Sequence, residues 1–280
     1  MKNYLSALLI VLLLASGAAA KTEQEFGDHL YELGNFPGAV YAYEKALFTE
    51  TGRAQQEELK YKLAQAYYQN KNFQKATELL NFLAENGAPA IRQKAQFDLA
   101  GKYLKEGWFN FAALEFQDYA HLYRNDSALY LAGWSYLKDY NYDRAARLFA
   151  DMEETFPHSN YGLAAQRLSA EARKGKNLPQ KNPQAAQIMS MVLPGSGQIY
   201  AEAWQDGIIS FLLNALTISL FLNAWQENRT GEALIWFSLE TAWYFGGAYS
   251  GHNSARKFND RQRQIHLENL EYEYQPEKLF

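Results

Sequence analysis

The stretch "YLKDYNYDRAARLFADM", residues 136–152, decides the fold because its spacing recurs three times earlier in the chain. The related stretches are "YELGNFPGAVYAYEKAL" at 31–47, "YYQNKNFQKATELLNFL" at 67–83 and "YLKEGWFNFAALEFQDY" at 103–119. In each, an aromatic residue precedes an alanine by three positions, and a bulky residue follows that alanine by four. The alanines are 37, 36 and 33 residues apart. Periods of this size are typical of helical solenoids, so we expect stacked helical hairpins.

Four kinds of position define each repeat. A small residue twelve positions before the alanine lets two helices approach closely, and the bulky residues fill the grooves on either side. The aromatic residues are Phe36, Phe73, Phe109 and Tyr142; the alanines are Ala39, Ala76, Ala112 and Ala145; the bulky residues are Tyr43, Leu80, Phe116 and Phe149; the small residues are Gly27, Ala64, Ala100 and Gly133. Each hairpin leaves an apolar face for the next to cover, so several must stack. No segment alternates convincingly with period two, so no strands are expected.

The pattern resembles the tetratricopeptide repeat over four units, about half of the chain. The fourth unit has the motif residues Gly133, Tyr136, Tyr142, Ala145, Phe149 and Pro157. The first unit lacks the usual aromatic residue at Leu30, and the second and third lack the closing proline. A fifth hairpin begins near Phe156, with Ala165 at the small position, and is expected to supply a capping helix.

The resemblance implies a protein- or peptide-binding groove on the concave face formed by the first helices. The groove positions carried over from the family are Tyr31, Tyr61, Tyr68, Phe97, Leu104, Tyr130, Trp134 and Leu137. Aromatic side chains suit partner binding because they bury a large area at little entropic cost. Alternatively, these rings pack against each other or against the C-terminal segment "LEYEYQPEKLF", 270–280. The groove looks apolar rather than basic, which favours an apolar or extended ligand.

The first twenty residues, "MKNYLSALLIVLLLASGAAA", have the layout of a secretory signal peptide. Lys2 gives a positive start, an apolar run covers 5–15, and small residues end at Ala20. We expect cleavage before Lys21 and export of the rest. The alternative is an uncleaved anchor helix, although the apolar run is shorter than the roughly 20 residues that a spanning helix needs. The F-P-x-S-x-Y stretch at 156–161 is similar to bacterial periplasmic repeat proteins.

The composition argues against several classes of site. The chain has 280 residues, no cysteine and a formal net charge of −4. Without cysteine there can be no disulfide, thiolate metal site or cysteine nucleophile. The small negative charge gives no reason to expect nucleic acid as a partner. The five histidines show no i,i+4 pairing of the kind that a helical zinc site uses, so we expect no metal and no other cofactor.

Two long apolar segments follow the repeats. Residues 207–225 contain no charge, and 232–251 are apolar apart from a few polar residues. Each is long enough to cross a hydrocarbon core of roughly 30 Å. Gly247 and Gly251 form a G-x-x-x-G step that lets helices touch backbone to backbone. The sequence therefore predicts a transmembrane helical hairpin.

The stretch "MVLPGSGQIYAEAWQDG", residues 191–207, lies just before the first apolar segment. A phosphate-binding loop would need a lysine after its glycines and a strand before them, and neither is present. We interpret the stretch as a turn by which the chain enters the membrane, so no nucleotide is expected. It resembles bacterial paired-helix membrane modules that begin P-G-x-G-Q-x-Y, and the matching residues are Pro194, Gly195, Gly197, Gln198 and Tyr200.

Three polar residues lie within the apolar segments. Glu240 is in mid-segment, where an ionisable group is costly in lipid, and Asn214 and Asn223 on the other segment are candidates to hydrogen-bond it. The favoured interpretation is structural pairing. The alternative is a polar path in an accessory subunit of a transporter or channel. Ser196, His252 and Glu240 can be drawn as a hydrolase triad, but no spacing orients them, and no catalytic residue is predicted.

The charge distribution conflicts with the simplest topology. A cleaved signal and two crossings leave both flanks of the hairpin outside the cytoplasm, yet the basic residues lie on those flanks, against the positive-inside tendency. They are Arg173, Lys174, Lys176 and Lys181 before the hairpin and Arg256, Lys257, Arg261 and Arg263 after it. Three explanations stay open: a tolerated exception, a hairpin lying in the interface, or a third crossing that includes 185–200.

Together these patterns predict an exported all-α protein of the bacterial envelope. A tetratricopeptide-like α-solenoid covers 21–173, a linker 174–184, a membrane hairpin module 185–259 and a polar tail 260–280. The expected function is a non-catalytic scaffold that binds a protein or peptide partner in envelope assembly or organisation. Its repeats would lie in the periplasm and its hairpin among the lipids of the inner membrane.

Overall fold

The structure is a computed structural model that describes residues 22–276. The predicted signal peptide lies outside the described residues. Within them the chain forms thirteen α-helices and no strand, which confirms the all-α prediction. The chain divides into two compact units, described here separately. Of the described residues, 22–169 and Pro276 belong to one unit, and Ala170–Gln275 form the other.

The first unit is an array of helical hairpins. Its helices are α1 (22–32), α2 (Phe36–Thr49), α3 (Arg53–Gln69), α4 (Phe73–Asn86), α5 (Pro89–Lys105), α6 (Phe109–Tyr123), α7 (Asp126–Lys138), α8 (Tyr142–Thr155) and the start of α9 (Gly162–Gly175). From α2 to α8, each helix packs on the next one in the chain. This is the repeat array that the 33- to 37-residue period predicted.

One type of turn joins the two helices in each of the four hairpins. The residue two before the second helix is left-handed in every case: Gly34, Lys71, Gly107 and Tyr140, with φ of 74°, 59°, 79° and 55°. The next residue donates its backbone N–H to the carbonyl five residues earlier, as Asn141 does to Tyr136 at 2.8 Å. In three of the turns that residue is an asparagine whose side chain caps the second helix. The aromatic residue that recurs in each repeat is therefore the first residue of the second helix.

The repeat positions form the core. All four alanines of the second helices are 0% exposed, and their bulky partners are at most 2% exposed. A Cβ atom on Gly27 would lie 2.6 Å from the Tyr43 ring, and one on Gly133 would lie 2.5 Å from the Phe149 ring. Glycine is therefore required at these two positions because an aromatic ring of the second helix lies directly against the first.

The second unit contains the remaining helices: the end of α9, α10 (Pro183–Val192), α11 (Ser196–Tyr200), α12 (Trp204–Gln226) and α13 (Thr230–Tyr274). Helix α13 has 45 residues and is about 68 Å long. Helices α10, α11 and α12 all pack on α13. Among the described helices, α12 is the one whose length and composition suit a membrane crossing. The transmembrane hairpin as a whole stays a prediction.

The helix bounds differ from the sequence-based segments in two places. The predicted linker at 174–184 overlaps both neighbouring helices, because α9 ends at Gly175 and α10 begins at Pro183. The predicted boundary between module and tail, at 259/260, lies inside α13, which continues to Tyr274. Asn259 is fixed there: it accepts a hydrogen bond from the backbone N–H of Lys181 at 2.7 Å and donates one to its carbonyl at 2.9 Å.

Candidate protein-binding groove

The first helices of neighbouring hairpins are linked by polar side chains. Lys62 on α3 donates to both carboxylate oxygens of Asp28 on α1, at 2.8 and 2.7 Å. Gln65 on α3 donates to Asp98 on α5 at 2.6 Å and accepts from Lys102 at 2.8 Å. We call these five residues the polar ladder. Because its donors and acceptors are paired, the ladder holds three inner helices in a fixed register.

Two predicted groove residues, Tyr61 and Tyr68, are tied to this ladder. The Tyr61 hydroxyl donates to Asp98, and the Lys102 ammonium lies 4.1 Å from the centre of the Tyr68 ring. Tyr68 also donates to Glu106 at 3.0 Å. Burial, reinforced by these carboxylate contacts, raises the pKa of Tyr61 above its ordinary range and that of Tyr68 to about 12. Both phenols therefore stay neutral hydrogen-bond donors at physiological pH.

Lys102 is the most buried cation of the ladder, at 8% exposure. Burial lowers the pKa of its ammonium, and the nearby Asp98 carboxylate opposes that shift. The side chain has a hydrogen-bond acceptor in Gln65 and an aromatic face in Tyr68. Lys102 therefore contributes to the groove wall as a fixed donor rather than as a freely moving charge.

The other predicted residues are packed mainly against neighbouring rings. Tyr130, Trp134 and Leu137 on α7 are 3%, 0% and 0% exposed. The Tyr130 ring stacks on Tyr161 with centroids 4.8 Å apart. The half-buried rings have similar contacts: Phe97 meets Phe116 and Tyr119 edge to face, and Tyr31 meets Phe36 in the same way. These rings stabilise the array and leave little exposed area for a ligand. Such packing is what the alternative interpretation, in which the rings pack against each other, predicts.

An open cavity of about 490 Å³ lies where the third and fourth hairpins meet. It is lined by Leu104, Lys105, Gly107, Phe109, Leu131, Trp134, Lys138 and Pro276. Leu104 and Trp134 are predicted groove residues, and Pro276 belongs to the C-terminal segment that the alternative interpretation placed against the groove. The walls are apolar, and two lysines add positive charge.

Lys105 and Lys138 are not among the predicted groove residues, although a sequence pattern for them exists. Each is the third residue of a Tyr-Leu-Lys triplet at the end of a first helix, in the third and fourth repeats. Equal repeat positions place side chains on equal faces of successive hairpins. Aligning the lysines as well as the aromatic residues would have predicted a basic edge to this part of the groove.

In the second unit, the P-G-x-G-Q-x-Y motif forms a tight junction between helices. Gly195 has a φ of 90°, and a Cβ on Gly197 would overlap the carbonyl oxygen of Ala186 on α10. Gln198 is 0% exposed. It accepts from Ser190 at 2.9 Å and donates to the Gly247 carbonyl on α13 at 2.9 Å. The motif thus joins α10, α11 and α13 through a buried polar side chain.

The last motif residue, Tyr200, lies at the edge of this junction. Its hydroxyl accepts from the backbone N–H of Asn182, the cap of α10, at 3.2 Å. The Lys181 ammonium lies 5.1 Å from the Tyr200 ring centre and 5.2 Å from that of Phe258 on α13. The chain before α10 is therefore fixed to α13 as well.

The predicted intramembrane polar residues do not hydrogen-bond one another in the described structure. Glu240 accepts a hydrogen bond from Thr217 on α12. Asn214 donates to the Ser210 carbonyl in its own helix at 2.7 Å. Asn223 contacts Glu227 at 3.4 Å and Arg229 at 2.6 Å, near the end of α12.

The three residues that can be drawn as a hydrolase triad, Ser196, Glu240 and His252, also lie apart from one another. Ser196 donates to the Met189 carbonyl at 2.6 Å. Glu240 and His252 lie twelve residues apart on one helix, about 18 Å along its axis. The three side chains therefore do not form a catalytic arrangement.

Comparison with known proteins identifies one segment. Residues 127–159 match the tetratricopeptide repeat family model, and they include nearly all of α7 together with α8. A comparison with curated proteins gave no match. Tetratricopeptide repeats generally mediate protein–protein interaction. The matched repeat and the helical array together support a role as a protein-interaction scaffold.

Proposed function

We propose that this chain is a non-catalytic scaffold of the bacterial cell envelope. Its repeat unit holds a partner protein in the periplasm, and its second unit anchors it in the inner membrane. The partner serves envelope assembly or organisation. The observation that carries the proposal is the 490 Å³ cavity of the repeat array, with apolar walls and lysines at its edge.

The chemistry of the cavity specifies the partner segment. Phe109, which is half-buried, offers apolar surface, and burying apolar area contributes about 25 cal/mol per Å². Lys105 and Lys138 favour a carboxylate, and such pairs contribute more to specificity and association rate than to affinity. The segment bound would carry one or two apolar side chains next to an aspartate or glutamate.

Reversing the charge of Lys105 and Lys138 together tests the groove. A photo-crosslinking amino acid at position 109, beside the cavity, is expected to capture the partner in the native cells. The Lys105→Glu/Lys138→Glu variant should reduce the crosslinked product about tenfold or more, because each carboxylate would repel the acidic partner segment. The readout is the crosslinked yield at equal protein abundance.

The matched control is Lys71→Glu/Arg147→Glu, which makes the same charge change at two exposed cations outside the cavity. Its crosslinked yield should stay at the original level. An equal loss in both variants would indicate a general charge effect. No loss in either would contradict the proposed groove.

The membrane part of the proposal is supported by the outward surface of the second unit. Five large apolar residues within two turns of α12 are about half exposed: Ile208, Ile209, Phe211, Leu212 and Leu216. Leu234, Ile235, Phe237 and Phe245 on α13 are exposed to a similar degree. Large apolar side chains exposed in this number suit lipid contact. Helix α10, at ten residues, is too short to add a crossing by itself.

Single cysteines at positions 177, 228 and 264 test the topology, since the chain has none of its own. If α12 and α13 both cross, a membrane-impermeant thiol reagent should label positions 177 and 264 from the periplasm. Position 228, in the turn between the helices, should be labelled only after the inner membrane is opened. Labelling of all three sites from the periplasm would contradict a crossing hairpin and indicate one that lies in the interface.

A further inference from the structure

A cleft of about 430 Å³ opens between α12 and α13 within the second unit. The lining residues on α12 are spaced at helical intervals and include Asp206, Ser210 and Asn214. Those on α13 include Trp243, Gly246 and Gly247.

Asn214 leaves an unused hydrogen-bond acceptor in this cleft. The residue is 2% exposed, and its amide nitrogen donates to the Ser210 carbonyl. Its buried Oδ1 has no hydrogen-bond partner among the described residues. A buried carbonyl oxygen without a donor is unfavourable, so a ligand that supplies a donor here gains an interaction already prepared for it.

Gly246 on the floor of the cleft permits close approach by another backbone, because a Cβ atom there would meet nothing within 4 Å. Gly247 faces α12 of the same unit, since a Cβ atom on it would lie 3.0 Å from the Ser210 hydroxyl. Small residues of this kind let membrane helices pack with their backbones near each other. A glycine alone would not define a site, but Gly246 lines the same cleft as Asn214, whose Oδ1 is unpaired.

The sides and the end of the cleft restrict its occupant further. Ile209 and Trp243 are 56% and 45% exposed and form apolar edges. Asp206 lies eight residues before Asn214, about 12 Å along α12. The occupant therefore needs an apolar body, a donor at the level of Asn214 and a positive charge about two turns away.

We propose that the cleft binds a membrane-spanning helix of a partner protein. That helix donates a side-chain hydrogen bond to Asn214 Oδ1 and places a lysine or arginine near Asp206. A phospholipid fits less well, because the ester region below its headgroup contains acceptors and no donor. This proposal rests on the membrane location proposed above.

Model peptides test the proposal. The full chain, labelled with a donor dye, is placed in phosphatidylcholine vesicles with acceptor-labelled leucine–alanine spanning peptides. The first peptide has a central glutamine and a lysine eight residues away, the second has leucine in place of the glutamine, and the third lacks the lysine. Measured by energy transfer, the peptide with glutamine and lysine should bind the chain about three- to tenfold more tightly than the peptide with leucine in place of glutamine. Asn214→Leu should remove that difference.

Asn223→Leu is the matched control, because Asn223 lies on the same helix but contacts Glu227 and Arg229 outside the cleft. It should retain the preference for glutamine. Asp206→Asn should weaken the first peptide and leave the third unchanged. Equal binding of the glutamine and leucine peptides by the unaltered chain would overturn the proposal. It would mean that water is the partner of Asn214. A chain that does not enter vesicles would contradict the membrane location itself, and this proposal with it.

Discussion

Replacing Trp134 with alanine is expected to lower the free energy of unfolding of the repeat unit by about 3–5 kcal/mol. Trp134 is 0% exposed, and its ring centre lies 6.3 Å from that of Tyr130. The substitution removes buried apolar surface and leaves a void that the surrounding helices can fill only in part. Hydrogen exchange of α7 and α8, measured by mass spectrometry on the full chain, should become faster by about two to three and a half orders of magnitude.

Trp108 provides the matched control. It is 50% exposed and stacks on Tyr103 with ring centres 5.6 Å apart, so Trp108→Ala should cost about 1 kcal/mol or less. Equal protection of α7 and α8 in Trp134→Ala and in the unaltered chain would mean that Trp134 does not belong to the core as described.

The expected loss of stability in Trp134→Ala also affects how partner binding should be measured. A variant that loses Trp134 weakens the array itself, so the surface lysines Lys105 and Lys138 are the better test of partner binding.

The repeat array could be predicted because its spacing reflects a direct steric need. Gly133 and Phe149 lie sixteen residues apart in sequence, and the ring leaves no room for a Cβ on the glycine. The same need recurs at Gly27 and Tyr43, and this makes the period visible without any structure. Helix type, number of hairpins and core positions all follow from that pattern.

The groove was harder to predict than the fold. Periodicity identifies which residues lie on a first helix, but not which of them the next hairpin covers. Tyr130 illustrates the difference: the carried-over motif placed it in the groove, whereas Tyr161 stacks on its ring. Conversely, no sequence pattern singled out Asp98 and Gln65, yet they connect α3 to α5. Such pairings depend on the superhelical arrangement of the hairpins, which no local pattern encodes.

Helix α13 shows a second limit of sequence reasoning. Its first half is apolar and its second half is rich in charged residues, and the resemblance to paired-helix modules, which runs to about Asn259, places a boundary at 259/260. A change from apolar to charged side chains does not require the helix to end. Its backbone hydrogen bonds can continue from an apolar segment into a polar one. The continuous helix is fixed to the rest of its unit at Asn259 and at Gly247.

Gly197→Ala should have the largest effect in the second unit. A methyl group at this position would overlap the backbone carbonyl of Ala186, which cannot rotate away as a side chain can. The Gly197 N–H also donates to Ser190 at 3.1 Å, and Ser190 in turn donates to Gln198. Separating α10 from α11 therefore breaks the buried polar connection to α13 as well. We expect a loss of about 3 kcal/mol or more, combining overpacking with an unpaired buried amide.

Gly231→Ala is the comparison, because a Cβ there would meet no atom within 4 Å and the residue lies in the first turn of α13. This variant should be neutral or slightly stabilising, by up to about 1 kcal/mol. Hydrogen exchange of α10 and of the middle of α13, followed in detergent on the full chain, distinguishes the two. Faster exchange in Gly197→Ala alone would show that the glycines of the motif serve helix packing. Equal protection in both variants would contradict the junction and favour a role for the motif in membrane insertion only.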